Sequence, residues 1–219
     1  MLFETQDGSH SLFSEKYGVS YHSKYGAIQE TQHVFINAGL RLKAIEQKDI
    51  AILEIGFGTG LNAYMTIFES EKRGLTIDYV GVEAYPVSKE ITRQLNYAAQ
   101  VNEPESQLIF NKIHEIDWDV PHSINAHFRL TKVNKKFEDL DFDAQFDLIY
   151  FDAFAPTSQP ELWEVPLLTS MFNALKSGGV LVTYCAKGQF KRNLKAVGFT
   201  VEAIPGPPGK REMTRAFKF

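Results

Sequence analysis

The residues Glu54-Ile55-Gly56-Phe57-Gly58-Thr59-Gly60-Leu61-Asn62 are of types and spacing suited to holding a reactive ligand. Glycine at three alternate positions permits positive φ and lets the backbone come close to a bound group. An apolar run precedes this stretch and a helical pattern follows it, so it forms the turn from a strand into a helix. Ligands of open α/β sheets bind beside such turns, at the carboxyl ends of the strands. A dinucleotide loop would need G-x-G-x-x-G, and its third glycine would fall on Leu61. No Gly-Lys-Ser/Thr follows, which excludes a Walker loop.

The pattern present is E-x-G-x-G-x-G, the first motif of class I S-adenosylmethionine-dependent methyltransferases. S-adenosylmethionine carries a cationic ammonium and sulfonium and no pyrophosphate. The Glu54 carboxylate is expected to help hold the positive end, while loop N–H groups meet the methionyl carboxylate. Gly56, Gly58, Thr59, Gly60 and Asn62 complete the expected cofactor loop. Glu83 closes the next apolar run, 23 residues past Gly60. An acid at that place accepts hydrogen bonds from both ribose hydroxyls.

A second constellation is Asp152-Ala153-Phe154-Ala155-Pro156, followed by Gln159-Pro160-Glu161-Leu162-Trp163. It follows the fourth apolar run, the place in this fold that faces the transferable methyl. Methyl transfer to nitrogen needs a neutral amine with its lone pair in line with the S–CH₃ bond, so orientation is most of the work. Asp152 is expected both to lie beside the cofactor and to act catalytically, holding an amine N–H and taking up the released proton. Phe154 and Trp163 are candidates to enclose a base, although aromatics at such places also serve as core. The histidines at 10, 22, 33, 114, 122 and 127 are scattered, and no metal-ligand spacing appears.

The elements that must position these residues alternate along the chain. Short β-rich runs at 50–55, 77–83, 127–133, 146–152 and 179–185 read as strands buried on both faces. Between them lie helical patterns near 60–73, 86–101, 105–115, 134–140, 161–176 and 188–197. This order implies a parallel sheet with right-handed crossovers. The runs at 199–204 and 212–218 are joined by Pro205-Gly206-Pro207-Pro208-Gly209-Lys210-Arg211, too short for a crossover helix, so they form an antiparallel hairpin. The expected fold is a Rossmann-like α/β domain with a mostly parallel seven-stranded sheet, a single folding unit over residues 50–219. Residues 1–49 read as a small cap over the ligand end of the sheet, ending in a helix near 30–46.

Composition agrees with one globular unit: 219 residues, 44% apolar and 23% charged. No apolar stretch approaches the ~20 residues needed to cross a bilayer, and the N-terminus lacks a signal-peptide pattern. The one cysteine, Cys185, reads as a buried thiol at a strand end and fits a cytoplasmic location. Net charge is −4, but residues 187–219 hold eight basic side chains against two acidic ones, +6, leaving −10 for the rest. Such a basic end can serve as a phosphate footprint or be a solvated helix face.

Further segments carry a family likeness: Tyr21-His22-Ser23-Lys24, Gln29-Glu30-Thr31 and Val34-Phe35 near the start, and Pro207-Pro208-Gly209-Lys210-Arg211-Glu212-Met213 at the end. With D-x-F-x-P followed by P-x-x-W, they make the chain resemble, over nearly its whole length, a known family. This is the methyltransferase half of the bifunctional bacterial tRNA 5-methylaminomethyl-2-thiouridine biosynthesis protein, with its stand-alone relatives. The resemblance implies methyl transfer from S-adenosyl-L-methionine to the primary amine of 5-aminomethyl-(2-thio)uridine at the tRNA wobble position. It implies an anticodon-arm partner and substrate contacts from Tyr25, Glu30, Phe154, Pro156, Trp163, Lys210 and Arg211.

Two-part members of that family add a flavin-dependent oxidoreductase. This chain has no segment to house one, so it is expected to use no flavin and no metal and to need the aminomethyl group already made. The family commonly has an acid after the third strand that addresses the adenine. Here Leu130-Thr131-Lys132-Val133-Asn134 has none, and backbone groups of that stretch are expected to serve instead. The alternatives are a methyltransferase for a small-molecule amine and a non-catalytic nucleotide-binding module. Glu54, Glu83 and Asp152 together argue against the latter.

Overall fold

The computed structural model describes all of residues 1–219. Its strands are β1 (Leu2–Glu4), β2 (His10–Ser14), β3 (Val19–Ser20), β4 (Asp49–Ile55), β5 (Thr76–Val82), β6 (Pro121–Ser123), β7 (Phe128–Val133), β8 (Phe146–Phe151), β9 (Leu175–Thr183), β10 (Thr200–Pro205) and β11 (Glu212–Phe217). The main sheet has eight strands in the order β10-β11-β9-β8-β4-β5-β7-β6. The five strands β9, β8, β4, β5 and β7 run parallel, and β11 and β10 return antiparallel as the terminal hairpin. The seven strands read from the pattern are all present. The eighth, β6, corrects the count: it is three residues long, begins with a proline and pairs with β7 at the sheet edge. So short a segment carries no readable alternation, and proline is tolerated at an edge because no ladder N–H is required of it.

Alternate residues of the central strands enter different layers. Ile52, Leu148, Tyr150 and Val182 pack against one set of helices, while Leu53, Ile149, Phe151 and Leu181 pack against the other. This explains the continuous apolar runs: a parallel strand covered on both faces has no wet side. The first layer holds the Leu61–Arg73 and Ser106–Glu115 helices, the second the Val165–Ala174 and Gly188–Val197 helices.

Residues 1–49 divide into two roles. β1, β2 and β3 form a separate antiparallel sheet. The helix that follows runs through Ala27–Thr31, widens to i→i+5 hydrogen bonding over Gln32–Leu40, and continues through Arg41–Glu46. Beyond Thr31 it does not cap the ligand end: Val34, Phe35, Ile36 and Leu40 are buried in the first layer, with Phe35 against Tyr150 at 5.1 Å. At Gly39 an added Cβ would meet Val182, Leu148 and Tyr150 side chains at 3.0–3.3 Å, so the helix lies flat on the sheet.

The helix expected over 86–101 is broken into Lys89–Thr92 and Tyr97–Val101. Asn96 stands between the two, accepting the His10 N–H at 2.8 Å and donating to the Gly8 carbonyl at 2.8 Å. The small N-terminal sheet is thereby tied to the main body, a tertiary demand that local periodicity does not reveal. β9 also starts at Leu175, earlier than its apolar run, with a register irregularity between Phe146 and Leu148 of β8.

Candidate active site

The ends of β4, β5 and β8 converge on one cleft. The glycine loop forms its floor. Gly56, Gly58 and Gly60 have φ of 92°, 50° and 72°, the left-handed region that the alternating glycines anticipated. The Gly56 and Phe57 N–H groups donate to the Val82 carbonyl at 3.0 and 2.9 Å, pinning the loop to β5. Those two donors are therefore committed to the fold and are not available to a ligand. Gly56, Gly58, Thr59 and Asn62 line the cleft. Gly60 does not: it lies behind, under Phe57 and His114, where it starts the Leu61–Arg73 helix.

Glu83, just beyond β5, lines the same cleft. Its Oε2 accepts the Gly58 N–H at 3.1 Å and its Oε1 accepts the Tyr85 N–H at 2.9 Å. Each oxygen keeps a further lone pair. Burial nevertheless raises this carboxyl above its ordinary range, with the backbone N–H bonds and Lys16 opposing the rise.

Asp152 and Glu54 meet through one side chain. Asn62 Nδ2 donates to Glu54 Oε1 and to Asp152 Oδ2, both at 2.8 Å. Thr31 donates its hydroxyl to Asn62 Oδ1 at 2.8 Å, which fixes the orientation of the amide. Asp152 Oδ1 is left free of this bridge, on a residue that lines the cleft. Both carboxyls are held well above the usual carboxylate range. Burial is the main cause for each; Asp152 adds to it for Glu54, and Glu30 adds to it for Asp152. Glu54 is fully buried, and its Oε2 has no hydrogen-bond partner. Tyr79, whose hydroxyl is equally orphaned, lies close to Glu54 but outside hydrogen-bond geometry.

The other expected substrate residues separate. Phe154 lines the cleft, its ring 4.9 Å from those of Tyr17 and Tyr21. Trp163 does not enclose a ligand. It is 3% exposed, packs edge-on against Phe151 and Phe190, and donates its indole N–H to the Phe154 carbonyl at 2.8 Å. Pro156 lies in a separate shallow groove beside Trp163 and Lys187. Lys210 points inward, its ammonium 2.9 Å from Glu30 Oε1, whereas Arg211 is exposed. Tyr25 is half-buried against the loop at Gly209.

The basic C-terminal region is partly satisfied within the protein. Lys191 pairs with Glu212, Arg215 with Glu202, and Lys218 donates to two backbone carbonyls. A phosphate footprint made by the whole region is therefore not available. Cys185 is buried, and its thiol is pushed up mainly by burial.

Several lining residues were not legible in the sequence. Tyr17, Tyr21 and His22 come from the N-terminal segment and Tyr85 from beyond Glu83, while Lys136, Phe137 and Glu138 come from the turn after β7. The stretch 130–134, expected to offer backbone contacts, does not line the cleft; Leu130 and Lys132 are buried. The nearest acid in this segment that lines the cleft is Glu138, in the short 3₁₀ turn Phe137–Asp139. His22 also lines the cleft, its imidazole lowered to about 4 mainly by burial.

A family model described as S-adenosyl-L-methionine-dependent methyltransferase matches residues 94–219. The chain belongs to that methyltransferase family. The bifunctional tRNA 5-methylaminomethyl-2-thiouridine biosynthesis protein MnmC of Marinomonas sp. is 30% identical over 92% of this chain and 31% of its own length. The protein of the same name from Leptospira borgpetersenii is 30% identical over 91% of this chain and 32% of its own. The methyltransferase thus spans about a third of the length of these relatives. The crystal structure of MNMC2 from Aquifex aeolicus superposes with a TM-score of 0.81 at 25% identity, over 99% of this chain and 69% of that one. The spermidine synthase of Thermotoga maritima shares the fold at a TM-score of 0.53 and 12% identity. The methyltransferase has no helix long and apolar enough to cross a membrane.

S-adenosyl-L-methionine, the methyl donor of the family, fits the residues present. A cationic ligand suits a cleft that gathers Asp152 and Glu83, with Glu54 behind Asn62 and carrying an orphaned oxygen. Because Glu54 is screened by Asn62, its expected direct contact becomes an indirect one: it accepts from the Asn62 amide and holds it in place. Glu83 offers two preoriented acceptors to a diol. Glu83→Ala is expected to weaken S-adenosyl-L-methionine by about 1–3 kcal/mol, the range for lost hydrogen bonds to a charged group. Calorimetric titration measures this. Unchanged affinity would show that the carboxylate serves only to brace the Gly58 and Tyr85 amides.

Proposed function

We propose that this methyltransferase transfers a methyl group to the exocyclic primary amine of 5-aminomethyluridine, 2-thiolated or not, at the wobble position of tRNA. The product is the 5-methylaminomethyl nucleotide. The observation that carries this proposal is Asp152 at the end of β8, bridged by Asn62 to Glu54 and lining the cleft with Oδ1 outside that bridge. Support for the substrate comes from the relatives, whose names concern 5-methylaminomethyl-2-thiouridine in tRNA. Working on tRNA puts the enzyme in the cytoplasm.

The donor supplies an activated methyl on sulfur, and the chain's own residues prepare the acceptor. Ionised Asp152 accepts an N–H of the amine through Oδ1 and removes the proton that would occupy the lone pair. Asn62 keeps Asp152 from rotating, and Thr31 keeps Asn62 from flipping. As the N–C bond forms, the methyl–sulfur bond of the donor would break with its electron pair left on sulfur, and the positive charge passes to the nitrogen as a secondary ammonium. Phe154 and Tyr21, packed edge to face at 4.9 Å, shield this point from water.

One observation favours a smaller substrate: Lys191, Lys210 and Arg215 of the C-terminal region are already paired with carboxylates, which reduces the phosphate-binding surface. The decisive assay incubates the protein and methyl-labelled S-adenosyl-L-methionine with tRNA bearing 5-aminomethyluridine, then digests the tRNA for mass spectrometry. Label in 5-methylaminomethyluridine is expected. Label absent from tRNA but present on the free nucleoside or another amine would replace the tRNA substrate by a small one.

A further inference from the structure

Lys210 lies on the PGPPGKR turn between β10 and β11, yet its side chain is turned into the molecule. The turn is closed by the Lys210 N–H donating to the Pro207 carbonyl at 2.9 Å and the Gly206 N–H donating to the Arg211 carbonyl at 3.3 Å. Gly209 has φ of 83°, and any Cβ there would stand 2.0 Å from the Tyr25 ring. Only glycine lets the turn fold down onto Tyr25 and aim Lys210 inward. The ammonium then rests 3.9 Å from the centroid of the Tyr184 ring and 2.9 Å from Glu30 Oε1. Glu30 is buried, and its other oxygen accepts the Ser23 N–H at 2.9 Å. The Tyr184 hydroxyl donates to the Ala153 carbonyl at 2.8 Å, so this ring is fixed one residue from Asp152.

An aromatic face with a buried carboxylate is the recognition chemistry of an alkylammonium group. None of Tyr25, Glu30, Tyr184 and Lys210 lines the cleft described above. We propose that Tyr184 and Glu30 form the subsite for the ammonium of the amine substrate, and that Lys210 occupies it in the unliganded enzyme as a resident surrogate. The incoming aminomethyl group takes the place of the lysine ammonium on the Tyr184 face. The turn carrying Lys210 and the exposed Arg211 swings outward, where both charges can meet phosphate. The inference rests on the amine substrate proposed above, but the subsite is a property of the chain and is testable apart from tRNA.

Two measurements on the full chain test it. In the first, Lys210→Met leaves Glu30 without its cation and lowers the melting temperature. Propylammonium chloride, compared with equal sodium chloride, is expected to restore that temperature in Lys210→Met and not in the double variant with Tyr184→Leu. Lys210→Gln replaces Lys210→Met if the latter does not fold. In the second, the KM for 5-aminomethyluridine nucleoside is expected to fall about tenfold in Lys210→Met, because no resident cation competes. It should rise about tenfold in Tyr184→Leu and stay near wild type in Tyr184→Phe, which keeps the ring. Affinity for S-adenosyl-L-methionine should be unchanged in all of these.

Rescue by propylammonium that is absent, or equal with and without Tyr184, overturns the subsite whatever the wild type does to tRNA. Rescue with no wild-type transfer to any aminomethyl substrate leaves the subsite standing and overturns the substrate. A raised KM or lost turnover in Lys210→Met makes Lys210 a substrate-binding lysine and overturns its role as occupant.

Discussion

Asp152→Asn is expected to reduce methyl transfer by about 10²-fold or more, the usual range for losing a positioned acid or base, with the fold preserved. Asparagine keeps the size of Asp152 and can still accept from Asn62 Nδ2, so the bridge to Glu54 survives in part. It cannot take a proton. Single-turnover transfer under saturating cofactor separates this from binding, and near wild-type rates would make Asp152 a packing residue. The pH dependence carries a second signature. Burial and Glu30 hold the Asp152 carboxyl well above the usual range, so the acid limb of the wild-type rate profile should lie well above ordinary carboxylate titration. That limb should lose its Asp152 component in the variant.

Stability follows the same sign. A carboxyl whose folded pKa is raised binds its proton more tightly in the native state than in the unfolded one. Its contribution is therefore full below the unfolded value and is lost as pH rises through the folded one. The unliganded wild type should thus lose stability as pH climbs above the carboxylate range, and Asp152→Asn should flatten that loss. The raised pKa of Glu54 makes the residual slope. A slope identical in the two proteins would show that Asp152 is solvated in the free enzyme.

Gly56→Ala is expected to weaken cofactor binding by about tenfold to a hundredfold. Gly56 has φ of 92°, and an added Cβ would stand 2.7 Å from the Asp152 backbone carbonyl oxygen. That neighbour is main chain at the end of β8 and cannot rotate away. Strain of about 1–3 kcal/mol must be relieved by moving either the loop or the Asp152 segment. Either movement separates the two halves of the site, so affinity for S-adenosyl-L-methionine should fall by about tenfold to a hundredfold, and the melting temperature should drop too. Gly74→Ala is the control. Its φ is 60° with nothing within 4 Å of the added Cβ, so it carries backbone strain far from the site and without a clash. Equal losses of affinity in the two variants would show that the approach of Gly56 to Asp152 has no functional weight.

Much of the fold is legible in the chain because parallel strands and their helices write strong local signals. The run Ile50 to Ile55 could only be a strand covered on both faces, and Gly56, Gly58 and Gly60 could only be a turn of unusual φ. Glu83 and Asp152 were found because each follows such a strand, and in a parallel sheet all strand ends of one sense lie on one edge. Cys185 was read correctly as buried for the same reason. These are properties of short segments, where propensity, burial and chain direction coincide.

Tertiary structure decided what depends on segments distant in sequence. The Asn62 bridge needs Thr31, Glu54 and Asp152 at once, and no spacing rule joins those four. Trp163 and Pro156 looked like pocket residues by motif, but the indole N–H is used to shape the Phe154 turn. The eighth strand is defined by its pairing with β7, and between the two pieces of the 86–101 segment Asn96 ties the chain to the N-terminal sheet. The charge of the C-terminal region could be counted but not located: a long side chain reaches solvent or a buried carboxylate from the same backbone position. For Lys210 that choice was made by Gly209 and Tyr25, through close contact of the turn with a ring nearly the whole chain away in sequence.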